Sequence, residues 1–145
     1  MIKLPDIIRT VYISCTGEQT KQIYAGMFRV KVALTNAERL EVERMYAQLL
    51  PNDKQAAEAN RLRASALAEL SVRVVDAPSW WRNSRSGQDL LDSQPLWDLL
   101  VKIDELINEW TKSVEETAKT TMNHVPVETS PPPISPNNKI DTQSS

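Results

Sequence analysis

Between Leu96 and Val114 the apolar residues recur three and four positions apart. Leu96, Leu99, Leu100, Ile103, Leu106, Ile107, Trp110 and Val114 fall on one stripe, and Asp98, Lys102, Asp104, Glu105 and Glu109 lie away from it. That is the period of an amphipathic helix. Asp92 or Ser93 supplies its cap, Pro95 falls in its first turn, and the pattern predicts a helix to about Thr117. Such a stripe must be covered, so the rest of the chain is read for what covers it. Trp97 and Val101 lie off the main stripe and widen the apolar arc, enough to serve a core and a partner at once. Self-association through this helix is therefore one expectation.

The N-terminal part has β character. Ile7 to Cys15 is rich in β-branched and aromatic residues, and Thr16, Gly17 and Glu18 signal a turn. From Tyr24 to Leu34 the sequence alternates, with Tyr24, Phe28, Val30, Val32 and Leu34 on one face and Arg29 and Lys31 on the other. The two runs are expected to pair as an antiparallel hairpin.

Two further helices follow. Thr35 and Glu38 have capping-box spacing ahead of a helix to about Leu50, with Val42, Met45, Tyr46, Leu49 and Leu50 apolar and Pro51 as its stop. Asn52 and Asp53 are read as the cap of a second helix, roughly residues 54–71, with Leu62, Ala66, Leu67 and Leu70 on one stripe. Val72 to Val75 reads either as a third strand or as an extended connector. The expected fold class is α+β: an N-terminal antiparallel β-hairpin followed by a bundle of about three helices. Residues 1–121 are expected to form a single globular domain, and residues 122–145, with Pro126, Pro131, Pro132, Pro133 and Pro136 among Ser, Thr and Asn, are read as a flexible tail.

The inventory of chemical groups is short. One Cys excludes an intrachain disulfide framework, and one His excludes HExxH and His-rich metal sites. The 145 residues hold only 3 Gly, and no phosphate-cradling Gly motif occurs. Lys and Arg total 17 against 19 Asp and Glu, a net charge of -2, which argues against a non-specific nucleic-acid binder. Residues 1–15 are too interrupted by charge for a signal peptide, and no run of eighteen apolar residues offers a membrane span. His124 falls in the tail reading, away from any nucleophile, Cys15 reads as a small core residue, and the acidic pairs read as solvated surface. No catalytic, cofactor or metal residue is assigned, and the expectation is a non-enzymatic binding or assembly protein.

Trp80 and Trp81 are adjacent, with Arg82 and Arg85 behind them; Arg29, Lys31 and Arg73 complete the main basic concentration. Arg interleaved with Trp is suited to anchoring a protein partner or to stacking on bases. Alternatively the Trp pair fills the core while the Arg side chains face water. Two adjacent Trp cannot point the same way, so one is expected in the core and one at least partly exposed. Trp80, Trp81, Arg82, Arg85 and Trp97 are the candidate protein-binding residues.

The order of these elements carries a resemblance. FRVKVALTNAERLEVERMY, an Ala- and Leu-rich helix, VVDAPSWW and PLWDLLVKIDELINEW, together residues 28–110, lie within a stretch from Ile23 to Val114 that resembles the tail assembly chaperones of long-tailed bacteriophages. The resemblance is one of pattern and length. It implies a protein of the host cell cytoplasm that binds the tape measure protein and assists tail tube protein to assemble around it. It also implies a longer frameshifted form, with the Pro-rich segment as linker, and it transfers no catalytic residue. A different expectation from the same sequence is a structural virion component, a head-tail or baseplate protein whose C-terminal tail docks on a neighbouring subunit.

Overall fold

β-Branched and aromatic residues on either side of a short turn give two nine-residue strands, β1 (Ile8–Thr16) and β2 (Ile23–Lys31), paired antiparallel along their whole length with Tyr12 opposite Met27. The computed structural model describes residues 3–124, with side chains described to residue 120. The turn at residues 17–22 closes through Gly17 N–H to the Gln22 carbonyl at 2.7 Å and Lys21 N–H to the Gly17 carbonyl at 3.0 Å. A third strand, β3 (Val74–Asp76), joins antiparallel to β2 at Arg29 and Val30, with an irregularity between those two residues. The sheet is three-stranded with order β1-β2-β3, so the fold is α+β; of the Val72–Val75 run, Val72 and Arg73 end the helix before the sheet and Val74 and Val75 begin the third strand.

The described chain belongs to two units. Pro5–Thr111 is one; Lys3, Leu4 and residues 112–124 belong to the other. Within Pro5–Thr111 one face of the sheet is covered and the other is not. Val11, Ile13, Phe28 and Val30 point to the covered face. Against them pack Leu70 of α2 (Glu58–Arg73), Trp81 of the single-turn α3 (Ser79–Arg82), and Leu96, Leu99 and Ile103 of α4 (Gln94–His124). Tyr24 and Val32 are buried too, as the alternation predicts, but the strand ends at Lys31 and Leu34 is only half-buried. The α4 stripe thus finds the cover that its period demands.

The helices differ from expectation in three places. α1 (Asn36–Leu49) has the predicted capping box: Glu38 N–H donates to Thr35 Oγ1 at 3.1 Å, and Thr35 N–H to Glu38 Oε1 at 2.8 Å. Yet α1 buries no side chain and packs beside α2 rather than into a three-helix bundle. Its apolar positions are flanked by Glu38, Arg39, Glu41, Glu43 and Arg44, which leaves a seam too narrow for the core.

The start of α2 is also displaced. Asn52 makes no side-chain cap bond, Asp53–Gln55 closes as a 3-10 turn, and Ala56 and Ala57 are extended before the helix begins at Glu58. Leu62, placed on the core stripe by sequence, is exposed, whereas Ala64, Ala66, Ala68 and Leu70 are buried. At the C-terminal end of α2, Arg73 is buried, its Nε–H on Glu69 at 2.7 Å and its Nη1–H on the Lys31 carbonyl at 2.8 Å, which fastens the helix to the end of β2.

Finally, α4 runs 31 residues to His124 rather than stopping near Thr117. Residues 111–124 contain neither Pro nor Gly, and the first helix breaker is Pro126. Met122, Asn123 and His124, read from sequence as the start of a tail, are helical. The remainder of that tail reading lies outside the described residues. No described helix is long and apolar enough to cross a membrane.

Candidate protein-binding surfaces

The two tryptophans divide as their adjacency requires. Trp81 is 1% exposed and sits in the core, its ring edge-on to Phe28 at 5.5 Å. It is therefore withdrawn from the candidate binding residues: a side chain enclosed by Phe28, Trp80 and the α4 stripe has no face to offer a partner. Trp80 is half-buried. Its Nε1–H donates to the Ala25 carbonyl at 3.0 Å, and its ring stands edge-on to Tyr24 at 5.2 Å and Phe28 at 5.7 Å. Trp80 thus lies against β2 and is partly exposed.

The basic concentration disperses. Arg82 reaches the Ala77 carbonyl and lies 3.7 Å from Asp76; Arg85 binds Asp89 through two N–H bonds at 2.8 and 3.0 Å; Lys31 pairs with Glu38; Arg73 is buried. Arg82 and Arg85 remain exposed, but each is turned to its own neighbour rather than to the Trp pair. Trp97, at 38% exposure, and Val101 stand four apart on the outer side of α4.

Asp92 has a role that the sequence did not reveal. It is not a helix cap: the Ser93 carbonyl accepts the first helical bonds, from Leu96 and Trp97. Asp92 is buried and receives the Gln19 amide at 2.7 Å, the Thr20 amide at 3.2 Å, the Thr20 hydroxyl at 2.5 Å and the Tyr24 hydroxyl at 2.8 Å. One carboxylate thereby ties the β1–β2 turn to the start of α4. The Thr20 hydroxyl, then the Tyr24 hydroxyl and the two amides, hold the Asp92 carboxyl below its ordinary value of 3.8, against the opposing effect of burial.

A folded-state pKa below the unfolded one contributes stability that is present above 3.8 and is lost as pH falls through the lower, folded value. Asp92→Asn removes that contribution. Urea midpoints measured against pH should show the variant less stable than the parent at neutral pH, with the gap closing below pH 3.8. A gap independent of pH would show that the Asp92 charge is not what the turn responds to.

Cys15 is half-buried at the end of β1, and burial first, then the Asp98 carboxylate, pushes its thiol up to about 11. It is a protonated thiol at neutral pH and a poor nucleophile. Among the described residues no group of three His, Cys, Asp or Glu is arranged to hold a metal ion.

The surface that sequence reading missed is the outer face of the sheet. Ile8 and Tyr12 from β1 and Ile23 and Met27 from β2 are exposed, the last three at 53%, 70% and 56%. They share this face with Thr10, Ser14, Ala25 and Arg29, which the register places among them. The signal was present in Ile7–Cys15, where Ile8 and Tyr12 alternate against Val11 and Ile13, so that both faces carry apolar residues. A concavity of about 750 Å³ lies between α1 and α2, lined by Val42, Tyr46 and Leu62 together with Glu43, Glu58, Arg61 and Ser65. This is where the displaced Leu62 of α2 points.

No family model, no curated protein and no solved structure matches the chain.

Proposed function

We propose that the chain is a non-enzymatic assembly chaperone of the phage tail class its sequence resembles, acting in the host cytoplasm. In this reading its clients are the tape measure protein and, through it, the tail tube protein. The observation that carries the reading is the uncovered sheet face with Ile8, Tyr12, Ile23 and Met27 exposed. Apolar side chains gathered on a regular surface and rimmed by polar ones are what a helper needs to cover an amphipathic client helix. Strands of nine residues give a face about 30 Å long, room for five to six turns of helix. Arg29 on the same face offers a charge to the polar edge of such a helix. The alternative of a virion component that docks by its tail rests on residues outside those described.

The test is titration of the chain with a purified helical segment of tape measure protein. Ile23→Ser with Met27→Ser should weaken binding by about 1–2 kcal/mol, roughly five- to thirtyfold, because the client no longer buries those side chains. Trp97→Ala should change the affinity by less than about threefold, since Trp97 and Val101 stand among Asp98, Lys102, Asp104 and Glu105. Unchanged affinity in the folded strand variant removes the sheet face from the site; a larger loss from Trp97→Ala moves the site to α4.

A further inference from the structure

The β1 strand has a second feature independent of its outer side chains. The Val32 N–H donates to the Ile7 carbonyl at 2.8 Å, and the Gly17 N–H to the Gln22 carbonyl at 2.7 Å. These bonds fix the phase of the ladder: odd-numbered residues of β1 turn their backbone groups toward β2. Ile8, Thr10, Tyr12, Ser14 and Thr16 therefore turn theirs to the opposite edge. β1 is terminal in the sheet order, and β2 is its only strand partner among the described residues.

Edges of this kind are normally blunted by Lys, Pro, a bulge or shortness. β1 has none of these. It is nine residues long, reads IRTVYISCT, and pairs with β2 without interruption. Its one charged residue is Arg9.

We infer that the β1 edge is a self-association site, where a second copy of this chain adds its own β1 antiparallel to form a continuous six-stranded sheet. The parity of the strand favours this occupant. Its middle residue, Tyr12, is one whose backbone faces the open edge, so a two-fold axis at Tyr12 pairs the full strand with itself. Tyr12 then meets Tyr12 of the second copy, Thr10 meets Ser14, and Ile8 meets Thr16, all as hydrogen-bonded pairs. Charge does not oppose it: Arg9, which lies 4.0 Å from Glu109 of its own chain, falls opposite Cys15 of the second copy, and no like charges face one another. The pairing is isologous and closed, so it stops at two copies. The inference goes beyond the chaperone reading and does not depend on it.

Sedimentation equilibrium of the full chain should show a monomer–dimer equilibrium in the micromolar range. In the dimer the amides of Ile8, Thr10, Tyr12, Ser14 and Thr16 should exchange slowly with solvent, and on dilution they should lose that protection. The Thr10→Glu/Ser14→Glu variant places like charges opposite each other at both symmetry-related pairs, and Thr10→Lys/Ser14→Lys does the same with the other sign. Each alone should dimerise roughly tenfold or more weakly, and an equimolar mixture should recover dimers, seen as the mixed mass by native mass spectrometry. Thr10→Pro removes an edge N–H without touching the β1–β2 ladder and should give a folded monomer. A parent that stays monomeric through the concentration series overturns the inference. So does a parent dimer whose edge amides remain unprotected, which would place the contact elsewhere.

Discussion

Replacing Trp81 by Ala is expected to lower the unfolding free energy by about 4 kcal/mol, a melting-temperature drop of roughly 20 °C for a domain of this size. Trp81 is among the largest fully buried side chains, and it touches both layers of the fold. Phe28 of the central strand and Trp80 stand edge-on to it at 5.5 and 6.2 Å, and Leu96, Leu99 and Ile103 of α4 belong to the same cluster. Gly87 is shaped to it. With φ at +92° it adopts a backbone that side-chain-bearing residues rarely take, and a Cβ there would lie 2.8 Å from the far edge of the indole.

The Phe replacement separates packing from polarity. The Trp81 Nε1–H is buried and has no hydrogen-bond partner among the described residues. An unmet donor costs about 1–3 kcal/mol, and Trp81→Phe removes it while leaving an aromatic ring against Phe28. The lost ring volume and the removed penalty are of similar size, so Trp81→Phe should lie within about 1 kcal/mol of the parent. Urea unfolding of the two variants checks both statements. A Phe variant nearly as unstable as the Ala variant would mean that the Nε1–H is satisfied in solution.

What the sequence made legible depended on period and on local chemistry. The α4 stripe, the alternation of β2 and the Thr35–Glu38 capping box each involve residues a few positions apart, and each reappears in the structure. The adjacency of Trp80 and Trp81 was enough to expect one of them in the core. Three features depended on distant partners. Asp92 was legible as a cap candidate, but its real donors, Gln19, Thr20 and Tyr24, lie some seventy positions away. Arg73 read as one member of a basic cluster until its bonds to Glu69 and the Lys31 carbonyl removed it from the surface. Leu62 fits the α2 stripe by spacing, yet the helix joins the core only further along, at Leu67 and Leu70.

The candidate surface was the least legible part. A strand with apolar residues on both faces reads as a strand covered on both sides, as in a buried sheet. Only the placement of α2, α3 and α4 on a single face leaves Tyr12 and Met27 in the open. Aromatic residues in sequence drew attention to the Trp pair instead, where half of the pair turned out to be structural.

Gly26→Ala is expected to cost about 2–3 kcal/mol, an unusual penalty for one methyl group on a strand. Gly26 belongs to the covered face of β2, opposite Ile13, and a Cβ on it would lie 2.3 Å from Pro78 Cγ and 3.0 Å from Pro78 Cβ. Pro78 has no freedom to retreat. Its ring is closed on the backbone, and its carbonyl accepts the first bonds of α3, from Trp81 at 3.0 Å and Arg82 at 3.1 Å. The strand or the whole α3 turn has to move, and α3 carries both tryptophans. Trp80 is anchored one residue away by its bond to the Ala25 carbonyl, so any shift strains that bond as well.

If contact with the proline ring is the cause, shortening the ring must relieve it. Pro78→Ala alone should cost about 1 kcal/mol, chiefly through the added freedom of the unfolded chain. The Gly26→Ala/Pro78→Ala double variant should then be no less stable than Gly26→Ala alone, where additivity predicts a further loss. A coupling of about 1–2 kcal/mol in that cycle is the expected result, measured by urea unfolding of the four proteins. Strict additivity would mean that Gly26 is required for the strand backbone itself, and that the closeness of α3 to β2 is a consequence of packing elsewhere. A positive coupling would make the Gly26–Pro78 contact the point that sets where α3, and with it Trp80 and Trp81, sits on the sheet.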